Sequence, residues 1–89
     1  MYDGLPGADL IEAGMADLEV GRETIPALLV SIGAPRLSLL GLVVRRAFER
    51  PEHRLYEQLA AEDPDSAHAR YNGYLNRLVS FERAAACAR

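Results

Sequence analysis

The sequence predicts a single all-α domain, a compact bundle of four to five helices with a long C-terminal helix. Apolar residues recur at spacings of three and four along most of the chain, and no stretch shows the alternation typical of strands. Prolines, glycines and capping residues divide the chain into segments of helix length. A length of 89 residues corresponds to one domain, 1–89.

The N-terminal third predicts a helical hairpin. Residues 1–7 hold two glycines and a proline, so we expect a loose lead-in. Residues 8–20 carry one apolar stripe and an acidic opposite face, which predicts an amphipathic helix. Thr24 can cap a second helix over 24–33. The short link between the two helices favours an antiparallel arrangement.

The middle of the chain predicts a short third helix and an irregular crossing. Pro35 is expected to end the second helix and to begin another over 35–41, closed by Gly41. Residues 42–50 have no clear period. We expect them to cross the bundle irregularly and to bury three apolar side chains, Val43, Val44 and Phe48.

Two further helices are predicted from their start signals. Pro51 suits a first helical position, which gives a helix over 51–62. The triplet Asp63-Pro64-Asp65 is the strongest start signal in the chain and predicts a long helix over 64–86. An apolar seam at steps of four and three supports this helix: Ala67, Tyr71, Tyr74, Leu78, Phe81 and Ala85.

The pair Asn72-Gly73 is a turn signal inside that seam. Because the seam passes through it in phase, we expect an unbroken helix in which Gly73 lets another helix approach closely. The apolar faces together predict a core of Leu10, Leu18, Leu28, Leu29, Ile32, Leu37, Leu40, Leu55, Leu59, Tyr71, Leu78 and Phe81.

Charge divides the chain into an acidic front and a basic middle. The chain has ten arginines and no lysine, which indicates a GC-rich genome, and we expect a bacterial source. Five arginines of the middle segment are candidate contacts to an anionic partner, for which an acidic protein face, such as the first helix of a second copy, is favoured. A solvated surface, partly paired with acidic side chains, is nevertheless the favoured interpretation of this run. The five are Arg36, Arg45, Arg46, Arg50 and Arg54.

Residues 25–44 are nearly all apolar and long enough to span a bilayer. Pro35 and Arg36 lie at their centre, however, where an arginine costs about 2.5–3.5 kcal/mol. We therefore expect buried core helices and no membrane insertion. An alignment with a helix-turn-helix, with Gly33 at the turn, leaves only Arg36 and Ser38 to read bases, so specific DNA binding is not favoured.

A polar line follows the predicted C-terminal helix. His68, Asn72 and Asn76 stand four residues apart, with Tyr71 beside them. They form either the outer face of an amphipathic helix or the polar wall of a small-ligand cleft. Neither His53 nor His68 has the paired Glu-x-x-His pattern of helical metal sites, and we expect no metal and no cofactor.

These features predict a non-catalytic helical protein that binds a protein partner, with a homodimer as one form of that interaction. The alternatives are a nucleic-acid-binding regulator that uses the arginine-rich middle, and a ligand binder or enzyme that uses the polar line. Cys87 is the only cysteine, and the N-terminus lacks a signal-peptide pattern, so we expect a cytoplasmic protein.

Overall fold

In the computed structural model, which describes residues 2–88, the chain forms α1 (Ala8–Glu19), α2 (Ile25–Leu39), α3 (Pro51–Glu62) and α4 (Ala67–Ala88). The same residues contain no strand. The predicted all-α class and long last helix are thereby confirmed. Within the described range, no helix combines the length and apolar character needed to cross a membrane.

Helices α1 and α2 form an antiparallel hairpin, as predicted. Asp17 near the end of α1 meets Thr24 at the start of α2, while Gly14 lies against Pro26 and Val30 further along. Thr24 caps α2, because its hydroxyl oxygen accepts the Ala27 N–H at 3.2 Å. The same hydroxyl donates to the Asp17 carboxylate at 2.6 Å. One side chain thus fixes both the helix start and the hairpin.

The prediction of two helices over 24–33 and 35–41 is wrong, because α2 is continuous from Ile25 to Leu39 with Pro35 inside it. An interior proline costs about 3 kcal/mol by removing an N–H and crowding the preceding turn. Burial on either side of it offsets that cost. Helix α2 packs against each of the other three helices, and Leu28, Leu29 and Leu37 are wholly buried. The helix-turn-helix alignment has no turn at Gly33.

Residues 42–50 are irregular, as predicted, but the expected burial of Val43 is wrong. Val43 is 65% exposed, whereas Val44 and Phe48 are half-buried. Ser31 fastens this segment to α2, because its hydroxyl donates to the Ala27 carbonyl and accepts the Phe48 N–H at 3.0 Å. The segment therefore runs alongside the bundle, and only Leu42, Val44 and Phe48 of residues 42–50 are half-buried.

Helix α3 occupies the predicted residues 51–62, whereas α4 begins at Ala67 and not at 64. The Asp63 carboxylate accepts the Asp65 N–H and the Ser66 hydroxyl, which forms a turn ahead of the helix. The helix is continuous through Asn72-Gly73. A Cβ at Gly73 would meet nothing within 4 Å, so the expectation that another helix approaches there is wrong.

The core lies between the four helices and contains most of the predicted residues. Leu10, Ile32 and Tyr71 are half-buried at its edge. Tyr2 also belongs to it, since its hydroxyl donates to the Leu40 carbonyl at 2.6 Å and its ring meets Phe81 edge-on at 5.8 Å. The predicted lead-in is non-helical over residues 2–7 yet anchored at Tyr2, while residue 1 lies outside the described residues.

Candidate interaction groove between α2 and α4

A groove of about 550 Å³ separates the second half of α2 from the C-terminal half of α4. An adjoining depression of about 410 Å³ extends it to the ends of both helices. We call the two together the α2–α4 groove. Its walls are Ile32, Gly33, Pro35, Arg36, Leu39 and Leu40 on α2 and its C-terminal end, and Leu75, Leu78, Val79, Glu82, Arg83 and Ala86 on α4.

Two large apolar side chains of the groove face solvent. Leu39 is 76% exposed and Val79 is 40% exposed. They lie on different helices and line the same depression, together with Ala86. The groove is therefore an apolar surface shared by two helices rather than a single exposed residue.

Glu82 lies on the floor of the groove and is only 8% exposed. Within residues 2–88 its carboxyl group makes no hydrogen bond and no ion pair. Burial raises the pKa of Glu82 above its ordinary value, and the nearby charge of Arg36 lowers it in part. Although most of the side chain is buried, no fully buried side-chain oxygen in residues 2–88 lacks a partner, so the Glu82 carboxyl oxygens reach solvent. The groove therefore presents an acceptor that a donor from outside can approach.

Gly33 makes room for this carboxyl group. A Cβ at residue 33 would lie 2.8 Å from Leu78 Cδ1 and 3.2 Å from Glu82 Oε2. Because glycine has no side chain, Glu82 lies directly against α2. The depth of the groove thus depends on one glycine of α2 and one acidic residue of α4.

The five candidate arginines do not lie at one place. Arg36 lines the groove near the C-terminal end of α2. Arg46 instead donates to the Glu19 carbonyl at 3.0 Å, and Arg54 to the Glu23 carboxylate at 2.9 Å, both at the α1–α2 link. Arg54 also lies over the Phe48 ring at 5.7 Å. The remaining two candidates, Arg45 and Arg50, are exposed.

The link and Arg36 are separated by about 16 Å along α2, at 1.5 Å per residue. Arg36 therefore belongs with the groove, and Arg46 and Arg54 stabilise the hairpin. Arg83, which sequence reasoning did not single out, is the second arginine of the groove.

The polar line lies on the exposed side of α4. His68, Asn72 and Asn76 are exposed, and the Asn72 amide nitrogen lies 3.3 Å from His68 Nε2. Tyr71 is half-buried and stacks edge-on with Tyr56 at 5.4 Å. Burial raises the pKa of the Tyr71 hydroxyl. In the described part of the chain, no three His, Cys, Asp or Glu side chains are grouped so that they could hold a metal ion.

A smaller cavity of about 260 Å³ lies beneath the N-terminal segment. Its walls are Tyr2, Asp3, Ala8, Ile11, Glu12, Met15, Leu42 and Phe81. A hydrogen bond with Asp3, and then the charge of Asp3, raises the pKa of Glu12. The two acids face each other at the rim.

Sequence reasoning did not single out six groove residues: Leu39, Leu75, Val79, Glu82, Arg83 and Ala86. A signal for the α4 side is present in the sequence. Leu75, Val79, Glu82 and Ala86 repeat the 4-3-4 spacing of the core seam, one residue later. Comparison with protein-family models, with curated proteins and with solved structures finds no match to this chain.

Proposed function

We propose that the protein is a non-catalytic interaction module whose α2–α4 groove binds a helix of a protein partner. The observation that carries this proposal is the joint exposure of Leu39 and Val79 on two helices that line one groove. Fully burying a side chain of this size contributes about 1.5–3 kcal/mol. Most of that contribution is still available at Leu39, which is 76% exposed.

The chemistry of the groove suits a helix better than an extended peptide. An amphipathic helix lays apolar residues at spacings of three and four into a groove between two helices. An extended peptide that binds by strand addition needs the unpaired backbone groups of a sheet edge, and residues 2–88 contain no strand. The groove also offers polar groups that orient a partner, since Glu82, Arg36 and Arg83 all line it.

Site-specific photo-cross-linking in the cells that normally produce the protein tests this proposal. A photoreactive side chain at Leu39 is compared with one at Val20, which is 63% exposed and does not line the groove. We expect a discrete adduct from position 39 only. A second change, Val79→Asp, should abolish that adduct, while circular dichroism shows the helix content unchanged.

Equal adducts at positions 39 and 20 would contradict the proposal. So would an adduct at 39 that persists with Val79→Asp, because an aspartate in the groove must lose its hydration when a partner helix docks.

A further inference from the structure

We propose that the occupant of the α2–α4 groove is a second copy of this chain. The two copies pair their α4 helices antiparallel about a two-fold axis, so that Glu82 of each copy meets Arg83 of the other. The inference rests on the proposed function of the groove and adds the identity of the partner.

Complementary charges are the first reason. Glu82 has no hydrogen bond or ion pair with residues 2–88, and Arg83 beside it is exposed and likewise makes no ion pair in that range. Adjacent residues on a helix point about 100° apart, so the two cannot satisfy each other within one copy. Across a two-fold axis, residue i contacts j and j contacts i, so one contact geometry satisfies both charges twice.

The register that pairs these charges also pairs the apolar residues. In an antiparallel helix pair, opposed residues have a constant sum of residue numbers. Glu82 with Arg83 gives 165, and Val79 with Ala86 gives the same sum. All four residues line the groove and follow one another at i, i+3, i+4 and i+7, which is one continuous stripe of α4. The alanine opposite Val79 lets the two helices come close.

The α2 wall completes the contact. Leu39 borders the same depression as Val79 and Ala86 and would be covered by the α4 helix of the second copy. Each Glu82 would then lie between Arg36 of its own copy and Arg83 of the other. Because the contact is the same on both copies, association closes at two chains.

Solution mass and a charge exchange test the inference. Sedimentation equilibrium should give a dimer of twice the 9.8 kDa chain mass. Glu82→Lys places a positive charge opposite Arg83, and Arg83→Glu places a second negative charge opposite Glu82. Each variant alone should weaken self-association about tenfold or more, because like charges then oppose each other. A mixture of the two variants should form a heterodimer, since both contacts then join opposite charges.

Two controls keep this test independent of folding. Arg45→Glu changes an exposed arginine outside the groove and should leave the dimer unchanged. Glu82→Gln keeps the shape of the buried side chain, so it should still fold, and it should weaken the dimer about tenfold, through loss of the two charge-assisted contacts.

A wild-type chain that is monomeric at all concentrations up to about 1 mM would overturn the inference. A dimer that tolerates Val79→Asp, or two charge variants that do not associate when mixed, would also overturn it. The cross-link at position 39 separates the two proposals. An adduct of twice the chain mass supports the second copy, whereas a discrete adduct of another mass keeps the groove function and overturns the homodimer.

Discussion

Helices α1 and α2 approach each other closely at Gly14, and replacing this glycine by alanine should destabilise the fold. A Cβ at residue 14 would overlap the Pro26 carbonyl oxygen and lie 2.5 Å from Val30 Cγ2. Ordinary contact begins at 3.4 Å and the Pro26 carbonyl carbon lies 2.8 Å from that Cβ, so the two backbones must separate by at least 0.6 Å, from 2.8 to 3.4 Å. Part of the obstacle is the backbone of α2, which cannot rotate away as a side chain can.

The expected size of the effect is the difference between two opposing contributions. Overpacking a dense core costs about 1–3 kcal/mol, and the backbone contact places Gly14 at the upper end of this range. Replacing glycine by alanine inside a helix stabilises it by about 1 kcal/mol. The net loss should be about 2 kcal/mol. In a domain of this size, that loss lowers the melting temperature by roughly 8–16 °C.

The same substitution elsewhere provides matched controls. Gly73 is exposed inside α4 with nothing within 4 Å of an added Cβ, so Gly73→Ala should stabilise by about 1 kcal/mol. Gly33→Ala should fall between, because the obstructing groups are the side chains of Leu78 and Glu82, which can shift. Thermal and urea denaturation, followed by circular dichroism at one protein concentration, gives the order. Gly14→Ala as stable as Gly73→Ala would refute the close approach of α1 and α2.

Three further changes are measured in the same way. Tyr2→Phe removes the hydrogen bond to the Leu40 carbonyl and should cost about 1 kcal/mol; no loss would mean that the N-terminal segment is not fastened. Thr24→Ala removes both the cap on the Ala27 N–H and the hydrogen bond to the Asp17 carboxylate, so it should cost about 2 kcal/mol, whereas Thr24→Ser should recover most of it. Folding raises the pKa of Glu82 above 4.5, so the folded state holds this proton more tightly than the unfolded chain does. Glu82→Gln should therefore be more stable than wild type at pH 7, and this advantage should shrink as the pH falls towards 4.5 and below. Both proteins are measured at concentrations where the chain is monomeric. A stability difference that stays constant across pH would contradict the burial of the charge.

Helix ends that depend on local chemistry could be predicted from the sequence, and those that depend on packing could not. Helix α3 occupies 51–62 as predicted, because Pro51 marks its start locally. Pro35 is an equally clear local signal, yet α2 runs through it. The difference lies in burial, since Pro51 has no helix to interrupt, whereas Pro35 is followed by the buried Leu37, whose burial helps offset the interruption.

Contacts between residues that are far apart in the sequence could not be predicted, because neither residue carries a local sign of the contact. Tyr2 and Leu40 are 38 residues apart, and nothing in residues 1–7 indicates that Tyr2 is buried. The same holds for Gly14 and Gly33. Each glycine resembles a helix-weakening residue in the sequence, and only the neighbouring helix explains its place.

The candidate groove was hidden because α4 carries two similar rows of residues, one position apart. The row from Ala67 to Ala85 faces the core, and the row Leu75, Val79, Glu82, Ala86 faces the groove. Because it contains Glu82, the second row resembles a solvent-exposed face in the sequence. In the structure, α2 approaches α4 closely at Gly33, and the Glu82 side chain is largely buried there. Beyond Glu82, α4 presents mainly alanines, whose side chains are too short to cover Leu39. The groove is therefore narrow at Gly33, where α2 has no side chain and lies close to Leu78 and Glu82, and it is open at Leu39, where the α4 side chains are short.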